Sequence, residues 1–151
     1  MKILVDKIPE EGLKIIEQLD PHALSLELDG QAIDFIKSID VKARAMKTGR
    51  EVFVDISVET PVEYTCTRCL AKFQDIFKKR FNVNYEIEPG DILEVDEDIR
   101  QEMILDYPIK MVCKSDCKGL CPNCGQNLNV AKCECIKGDR GQSTENRGLD
   151  L

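Results

Sequence analysis

Six cysteines lie within 23 residues, from Cys113 to Cys135, in a chain of 151 residues that holds eight cysteines and one histidine. A segment this short cannot build an apolar core of its own. Its thiols must therefore supply part of what fixes its conformation. The remaining two cysteines, Cys66 and Cys69, lie in a separate part of the chain. The chemistry of these eight thiols constrains the fold more than any other feature of the sequence.

The start of the chain bears on the redox state of the thiols. MKILVDKIPEEG holds only a short apolar stretch before Asp6, which is less than the apolar region of about 7–15 residues in a secretory signal. We therefore expect a cytoplasmic chain, in which clustered cysteines bind metal or carry out redox chemistry, with four disulfides as the alternative. No run of about 18 apolar residues is present, so no membrane span is expected.

Two C-x2-C pairs, Cys66–Cys69 and Cys121–Cys124, have the spacing of metal-binding knuckles. Sulfurs that each lie about 2.3 Å from zinc in a tetrahedron are about 3.8 Å apart, which a tight turn permits. Cys133–Cys135 is a C-x-C pair, and in an extended segment its two sulfurs point to the same side. The predicted closed four-sulfur site consists of Cys121, Cys124, Cys133 and Cys135.

Cys113 and Cys117 leave two pairings open. They could join Cys66 and Cys69 in a second site that ties the predicted sheet to the C-terminal segment, or they could combine with Cys121 and Cys124. An all-thiolate donor set favours one or two zinc ions, with an iron–sulfur cluster as the rival. A four-thiolate zinc site without an open position is typically structural.

The sequence gives no support for catalysis. A nucleophilic cysteine normally needs a neighbouring base, and His22 is the single histidine. No Walker motif, GxGxxG motif or recognisable pair of catalytic acids is present. We therefore expect a protein that is not an enzyme and takes no small-molecule substrate.

The middle of the chain predicts an antiparallel sheet. Apolar residues alternate with polar ones over 39–45, 51–59 and 80–87, and Gly49 lies in a turn between the first two segments. Residues 13–19 are ambiguous, because Leu13, Ile16 and Leu19 have helical spacing in a short segment. We predict an α+β fold, with an antiparallel β-meander or small open barrel followed by a helix and a C-terminal cysteine-rich zinc module.

Three parts of the chain follow from this pattern. Residues 1–95 form a β-rich domain that includes the knuckle at Cys66–Cys69, with a possible short edge strand at 2–6. Residues 96–137 form a helix, over 96–106, and the cysteine module. Acidic residues at 96–98 suit the start of a helix and Pro108 suits its end. Residues 138–151 are polar and are predicted to be a mobile tail.

Charge is distributed unevenly. The formal net charge is −7, the wrong sign for a protein whose whole surface binds phosphate. Residues 85–106 hold nine acids and one base, whereas residues 66–80 and 110–140 are basic. The lysines near the cysteines could contact phosphates, or could simply offset thiolate charge. The candidate RNA-contact residues are Arg68, Lys114, Lys118, Lys132, Asn127 and Asn129.

Together, CTRCL at 66–70, DCKGLCPNCGQNLN at 116–129 and CEC at 133–135 resemble the YceD-like family, whose members are described as large ribosomal RNA subunit accumulation proteins. The resemblance implies a role in accumulation of large-subunit (23S) ribosomal RNA and hence in ribosome biogenesis, without known catalytic activity. The positions carried over are Cys66, Arg68, Cys69, Cys113, Cys117, Cys121, Cys124, Cys133 and Cys135.

From these observations we expect a non-enzymatic factor whose partner is ribosomal RNA or a pre-ribosomal particle, with a ribosomal protein or assembly factor as a further candidate partner. The alternative is a protein-interaction adaptor that docks a basic partner through its acidic segment, 85–106. A thiol redox or zinc sensor ranks below both.

Overall fold

The computed structural model describes residues 1–26 and 33–137, and the predicted tail at 138–151 lies outside these described residues. Short 3-10 helices occupy Val5–Lys7 and Glu134–Lys137. The strands are β1 (Lys2–Leu4), β2 (Leu13–Leu19), β3 (Ile33–Phe35), β4 (Ile39–Thr48), β5 (Glu51–Thr65), β6 (Lys72–Glu86) and β7 (Ile92–Glu94), and the helix is α1 (Asp96–Leu105).

Strands β4, β5 and β6 form a consecutive antiparallel meander, in which Ala43 lies opposite Ile56 and Ile56 lies opposite Phe81. β2 pairs with the outer edge of β4, and β3 pairs with β5 beyond the end of β4. Among the described strands, β2 pairs only with β4 and β6 only with β5. The prediction of an antiparallel sheet with one helix and a C-terminal cysteine cluster is confirmed. The strand pairings are those of the predicted meander.

Two strands are longer than their alternation predicts. β5 continues to Thr65 and β6 begins at Lys72. In the first half of β6, Phe77 is buried and Phe73 is partly buried, but Asp75 lies between them on the same face and breaks the alternation that marks a strand. Its pairing with β5 over fifteen residues supplies backbone hydrogen bonds that the side-chain pattern does not reveal.

The ambiguous segment 13–19 is strand β2. Its residues pair in register with β4, from Leu13 opposite Ala45 to Leu19 opposite Ile39. Ile16 is 77% exposed on the outer face of the sheet, so it does not belong to a buried helical stripe. An exposed isoleucine on an edge strand produced the misleading helical spacing.

The hydrophobic core lies between the inner face of the sheet and α1. Val54 and Ile56 of the central strand are fully buried, as are Ile99 and Met103 of the helix. The core thus crosses the predicted boundary at residue 95, and β1 reinforces the connection by pairing with β7. Within the described part of the chain, no helix has the length and apolar character needed to cross a lipid bilayer.

Replacing Ile56 by alanine tests the position of the core. Ile56 is 0% exposed at the centre of the sheet, whereas Ile76 is 52% exposed on the neighbouring strand. We expect Ile56→Ala to lower the free energy of unfolding by about 2–5 kcal/mol and the control Ile76→Ala to lower it by less than about 1 kcal/mol. Urea denaturation followed by circular dichroism measures both, and equal losses would contradict the packing described here.

Candidate metal centre

The first sulfur cluster joins the sheet to the segment that follows α1. Cys66 and Cys69 lie in the turn between β5 and β6, and Cys113 and Cys117 lie in the loop after the helix. The Sγ atoms of Cys66 and Cys117 are 3.8 Å apart, and those of Cys69 and Cys113 are 3.6 Å apart. All four sulfurs lie within 4.8 Å of one another. These separations match the edge of about 3.8 Å in a tetrahedral four-sulfur zinc site.

Backbone hydrogen bonds bring the two segments together. The amide and the hydroxyl of Thr67 both donate to the Met111 carbonyl, at 2.8 Å and 3.1 Å. The Leu120 amide donates to the Arg68 carbonyl at 3.1 Å, and the Arg68 guanidinium donates to the Cys117 carbonyl at 3.1 Å. The knuckle at 66–69 is therefore held by the chain around it as well as by its sulfurs.

Gly119 makes this close approach possible. Its φ is +75°, and a Cβ at this position would lie 3.1 Å from the Arg68 carbonyl oxygen. A residue with a side chain would meet both the cost of a left-handed conformation and a contact with backbone. Gly119 was not predicted as a functional position, although a glycine just before a C-x2-C pair is a visible signal.

The second cluster is formed by Cys121, Cys124, Cys133 and Cys135, whose sulfurs also lie within 4.8 Å of one another. The Gln126 carbonyl accepts from the Cys121 amide at 2.8 Å, and the Gly125 amide donates to the Cys121 carbonyl at 2.9 Å, which closes the knuckle. Cys135 lies in the 3-10 helix Glu134–Lys137. The expectation that Cys133–Cys135 is extended is therefore wrong, because a helical turn carries its second member.

The structure thus places Cys113 and Cys117 with Cys66 and Cys69, which is the first of the two pairings that the spacing left open. All eight are free thiols, which sets aside the alternative of four disulfides. The two clusters differ in burial: Cys66, Cys69 and Cys117 are buried in the first, whereas Cys124 and Cys135 are exposed in the second. The buried cysteines of the first cluster also pack against apolar side chains, namely those of Phe73, Val112 and Leu120.

Amide groups stabilise negative charge on sulfurs of both clusters. Burial opposes ionisation of Cys66, but hydrogen bonds from the amides of Cys113, Cys69 and Arg68 outweigh it and lower its pKa to about 6. In the second cluster, the amides of Cys124 and Asn123 lower the pKa of Cys121 to about 7. Burial likewise opposes ionisation of Cys117, but hydrogen bonds from the Asn129 side chain and the Gly119 amide lower its pKa. Each cluster therefore favours thiolate at some of its sulfurs even before a cation is considered.

The thiols of Cys113, Cys133 and Cys135 resist ionisation. Burial, together with hydrogen bonds to neighbouring thiols, raises the pKa of Cys113 to about 12. A hydrogen bond with Cys124, followed by burial, raises the pKa of Cys135 to about 11. Four thiolates in one place need a compensating cation, because like charges at this distance disfavour one another. The donor set, spacing and electrostatics together fit a divalent soft-ligand ion such as zinc.

The candidate RNA-contact residues divide into two groups. Lys114, Lys118 and Lys132 are exposed. Asn129 is turned inward: its Nδ2 atom donates to Cys117 Sγ at 3.3 Å and to Asn127 Oδ1 at 2.9 Å, and its Oδ1 atom accepts from the Lys118 amide. The two asparagines therefore brace the first cluster, a role that the sequence analysis did not assign to them.

Carboxylates of the acidic segment 85–106 have partners within the chain. Lys79 lies 2.9 Å from Asp106 and 3.8 Å from Glu102, and Lys2 lies 2.7 Å from Glu94. The Tyr85 hydroxyl donates to Asp98. Burial, and then this carboxylate, raise the pKa of Tyr85 well above its usual value. The carboxylates of Asp98, Glu102 and Asp106 therefore help to hold α1 and the residue after it against β6.

Comparison with known proteins identifies the family pattern in the C-terminal part of the chain. The family model described as Large ribosomal RNA subunit accumulation protein YceD matches residues 82–145. This range contains six of the eight cysteines. The resemblance to the YceD-like family is thus confirmed. No solved structure matches the chain.

Curated relatives extend the similarity. An uncharacterized protein of Mycobacterium tuberculosis is 31% identical over 124 residues, which is 72% of this chain and 59% of that protein. The Large ribosomal RNA subunit accumulation protein YCED homolog 1, chloroplastic, of Arabidopsis thaliana is 43% identical over 54 residues, which is 34% of this chain and 17% of the plant protein. An uncharacterized protein of Mycobacterium leprae is 25% identical over 131 residues, covering 76% and 60% of the two chains. The matched region thus spans less than two thirds of these relatives.

Gly119 offers a test of the contact between the two halves of the first cluster. Gly119→Ala adds backbone strain and a contact at 3.1 Å, whereas Gly125→Ala adds strain at a similar φ of +73° with nothing within 4 Å of the new Cβ. We expect Gly125→Ala to lower the free energy of unfolding by about 1–2 kcal/mol and Gly119→Ala to lower it further. Chemical denaturation measures the difference. Equal effects would show that the approach to Arg68 is not restrictive.

Proposed function

We propose that this chain, which belongs to the YceD-like family, is a non-enzymatic factor in accumulation of large-subunit (23S) ribosomal RNA, held in shape by two structural zinc ions. The observation that carries the proposal is the folding of the family's cysteine-rich segment into two four-sulfur clusters, one of which includes the sheet knuckle Cys66–Cys69. The family description supplies the biological process, and the clusters supply the physical means of presenting a fixed surface.

Zinc in the first site would be held by the cysteines at 66, 69, 113 and 117, and in the second by those at 121, 124, 133 and 135. When bound, zinc would act as a cross-link, because four thiolates leave no open position for substrate or water. The chain's own groups would complete the first site through the Cys113 amide, which donates to Cys66 Sγ at 3.4 Å, and the Asn129 amide, which donates to Cys117 Sγ. Such donors orient and stabilise the ligands.

The exposed lysines of the module are the proposed RNA contacts. Lys114 and Lys118 flank Cys117, and Lys132 precedes Cys133. Lysine is a flexible point charge suited to phosphate, and contacts of this kind position a protein on RNA without reading its sequence. Arg68 extends the same basic surface, although one of its nitrogen atoms is bonded to the Cys117 carbonyl.

The adaptor alternative has weaker support. It requires the acidic segment 85–106 to be available to a basic partner, yet several of its carboxylates are paired with Lys2 and Lys79. Direct contact with ribosomal RNA in the cytoplasm is therefore the better proposal, and docking of a basic ribosomal protein is the outcome to be distinguished from it.

Elemental analysis tests the metal proposal. We expect two zinc ions per chain in protein purified without added metal, and about one in either Cys69→Ser or Cys124→Ser, because each variant removes a ligand from a different cluster. Zinc in the exposed second cluster should be released first by a chelator. Each variant serves as the control for the other. Iron, or a single zinc that both variants lose, would contradict two independent zinc sites.

Complementation tests the role in RNA accumulation. In cells lacking the gene for this chain, wild-type protein should restore the ratio of 23S to 16S ribosomal RNA. Lys114→Gln/Lys118→Gln/Lys132→Gln should restore it incompletely, because three phosphate contacts are lost. The control Lys7→Gln/Lys37→Gln/Lys47→Gln removes the same charge from exposed positions elsewhere.

Two outcomes would count against the RNA contact. One is full restoration by the module variant. The other is association of the wild-type protein with pre-ribosomal particles that survives nuclease treatment, which would favour a protein partner.

A further inference from the structure

The outer face of the sheet, opposite the core, carries a continuous groove. One part has a volume of about 340 Å³ and the adjoining part a volume of about 630 Å³. The two parts share Ile16, Lys42, Ser57 and Arg80. We call the combined feature the sheet groove. It runs from β2 across β4 and β5 to β6, a width of about 14 Å at about 4.8 Å per strand.

The sheet groove is basic in an acidic protein. Its lining presents five bases and three acids, although the chain as a whole has a net charge of −7. The bases are Lys14, Lys42, Arg44, Lys78 and Arg80, and the acids are Asp40, Asp55 and Glu59. Lys79 also borders the groove, but its charged end contacts Asp106 and Glu102 on the other face.

The acids of the groove are already engaged. The Arg80 side chain donates to Asp55, with Nε 3.1 Å from Oδ1, and Lys78 lies 3.1 Å from Glu59. Gln18 donates to Asp40 at 2.8 Å. Asp55 and Glu59 are therefore paired with Arg80 and Lys78, whereas Asp40 is bonded to a neutral amide and keeps its charge.

Strand register brings three of the bases together. Lys14 of β2 lies directly opposite Arg44 of β4, and Lys42 is two residues away on the same face. On the other side of Arg44 lies Asp55 of β5, whose carboxylate accepts from Arg80. Like charges directly opposite one another destabilise a sheet. Among the described residues, none of these three bases forms an ion pair within 4 Å. An anion supplied from outside the chain would relieve the repulsion.

Apolar side chains border the basic cluster. Ile16 is 77% exposed within the groove, and Met46 and Phe53, which face each other across β4 and β5, are 46% and 45% exposed on the same outer face. Exposed aromatic and apolar side chains beside bound phosphates form a platform on which unpaired bases stack. A small inorganic anion has no ring that could stack on these side chains.

We propose that the sheet groove binds single-stranded RNA, with Lys14, Lys42 and Arg44 contacting successive phosphates and Phe53 stacking on a base. The choice of RNA over another polyanion rests on the proposed function in ribosomal RNA accumulation. The surface itself is separate from the lysines of the cysteine module, so the two RNA contacts can be tested independently.

Fluorescence anisotropy with the metal-loaded full chain and a labelled 20-nucleotide single-stranded RNA of mixed sequence tests the proposal. Measurements at about 50 to 300 mM salt give the slope of log affinity against log salt, which changes by about 0.7 for each phosphate contact to a single strand. Lys14→Gln/Lys42→Gln/Arg44→Gln should weaken binding at least about tenfold and reduce the slope by about 2. The matched control Lys7→Gln/Lys37→Gln/Lys47→Gln should change affinity less than about threefold.

A second variant separates stacking from charge. Phe53→Ala should weaken single-stranded RNA binding by about tenfold and leave binding to a duplex of the same length nearly unchanged. Zinc content should stay at the wild-type value in all variants, because every substituted side chain lies on the outer face or is otherwise exposed. The free energy of unfolding of the groove variant should equal or exceed the wild-type value, because the repulsion between Lys14 and Arg44 is removed.

The outcomes distinguish this proposal from the function on which it rests. If the groove variant binds RNA as the control does, while Lys114→Gln/Lys118→Gln/Lys132→Gln loses binding, the groove proposal is overturned and the proposed function stands. If wild-type protein binds no RNA, both direct contacts are overturned. If the groove variant instead loses binding to polyglutamate and not to RNA, the groove is a docking site for an acidic protein.

Discussion

The close approach of four sulfurs, two from the turn between β5 and β6 and two from the loop after α1, determines where the C-terminal segment lies. Beyond the helix the described chain has few buried apolar side chains, and the local hydrophobic cluster is itself built around Cys66, Cys69 and Cys117. Structural zinc contributes about 10–16 kcal/mol in zinc-finger peptides. A proposed cross-link of that magnitude would replace the apolar burial that residues 113–135 lack, and it would anchor them to the longest pair of strands in the sheet.

The same cluster explains the arrangement of polar groups around it. Amides of residues 68, 69 and 113 are directed at Cys66, and the Asn129 side chain is directed at Cys117. These donors stabilise thiolate charge, whereas the pKa of Cys113 is raised by burial and by its neighbouring thiols. The unequal acidities within one cluster fit the proposed shared cation, because the protein dipoles would stabilise part of the negative charge and leave the rest to the ion.

Sequence reasoning predicted the parts of this structure in which side chains repeat regularly. The alternation in β4 and the first half of β5 predicts their hairpin, and the acidic start and Pro108 bracket α1. It did not resolve β2, because Ile16 is an exposed apolar residue on an edge strand. It did not predict the first half of β6, because pairing with β5 stabilises a segment whose side chains are mostly exposed.

At the candidate site, the sequence could assign only some of the cysteines to a cluster. Spacing placed Cys121, Cys124, Cys133 and Cys135 in one predicted site, but the partners of Cys113 and Cys117 depend on the path of the chain after α1. That path is fixed by contacts such as Thr67 to Met111 and Gly119 against Arg68. The inward hydrogen bonds of Asn127 and Asn129 are likewise products of tertiary structure. An asparagine suited to contact RNA and an asparagine that orients a thiolate look the same in sequence.

The β5–β6 ladder links the proposed contacts on the sheet to those on the cysteine module. It runs without interruption from Glu51 opposite Glu86 to Thr65 opposite Lys72, with Arg80 of the sheet groove in its middle and the sulfur knuckle just beyond its end. At about 3.3 Å per residue, Arg80 and Lys72 are separated by on the order of 26 Å along the strand. Two such contacts on one continuous ladder would bind an extended RNA more tightly than either alone, because engagement of the first would raise the effective concentration of the second. Zinc at the knuckle would then strengthen binding without touching RNA, by holding the module lysines at a fixed distance from the groove.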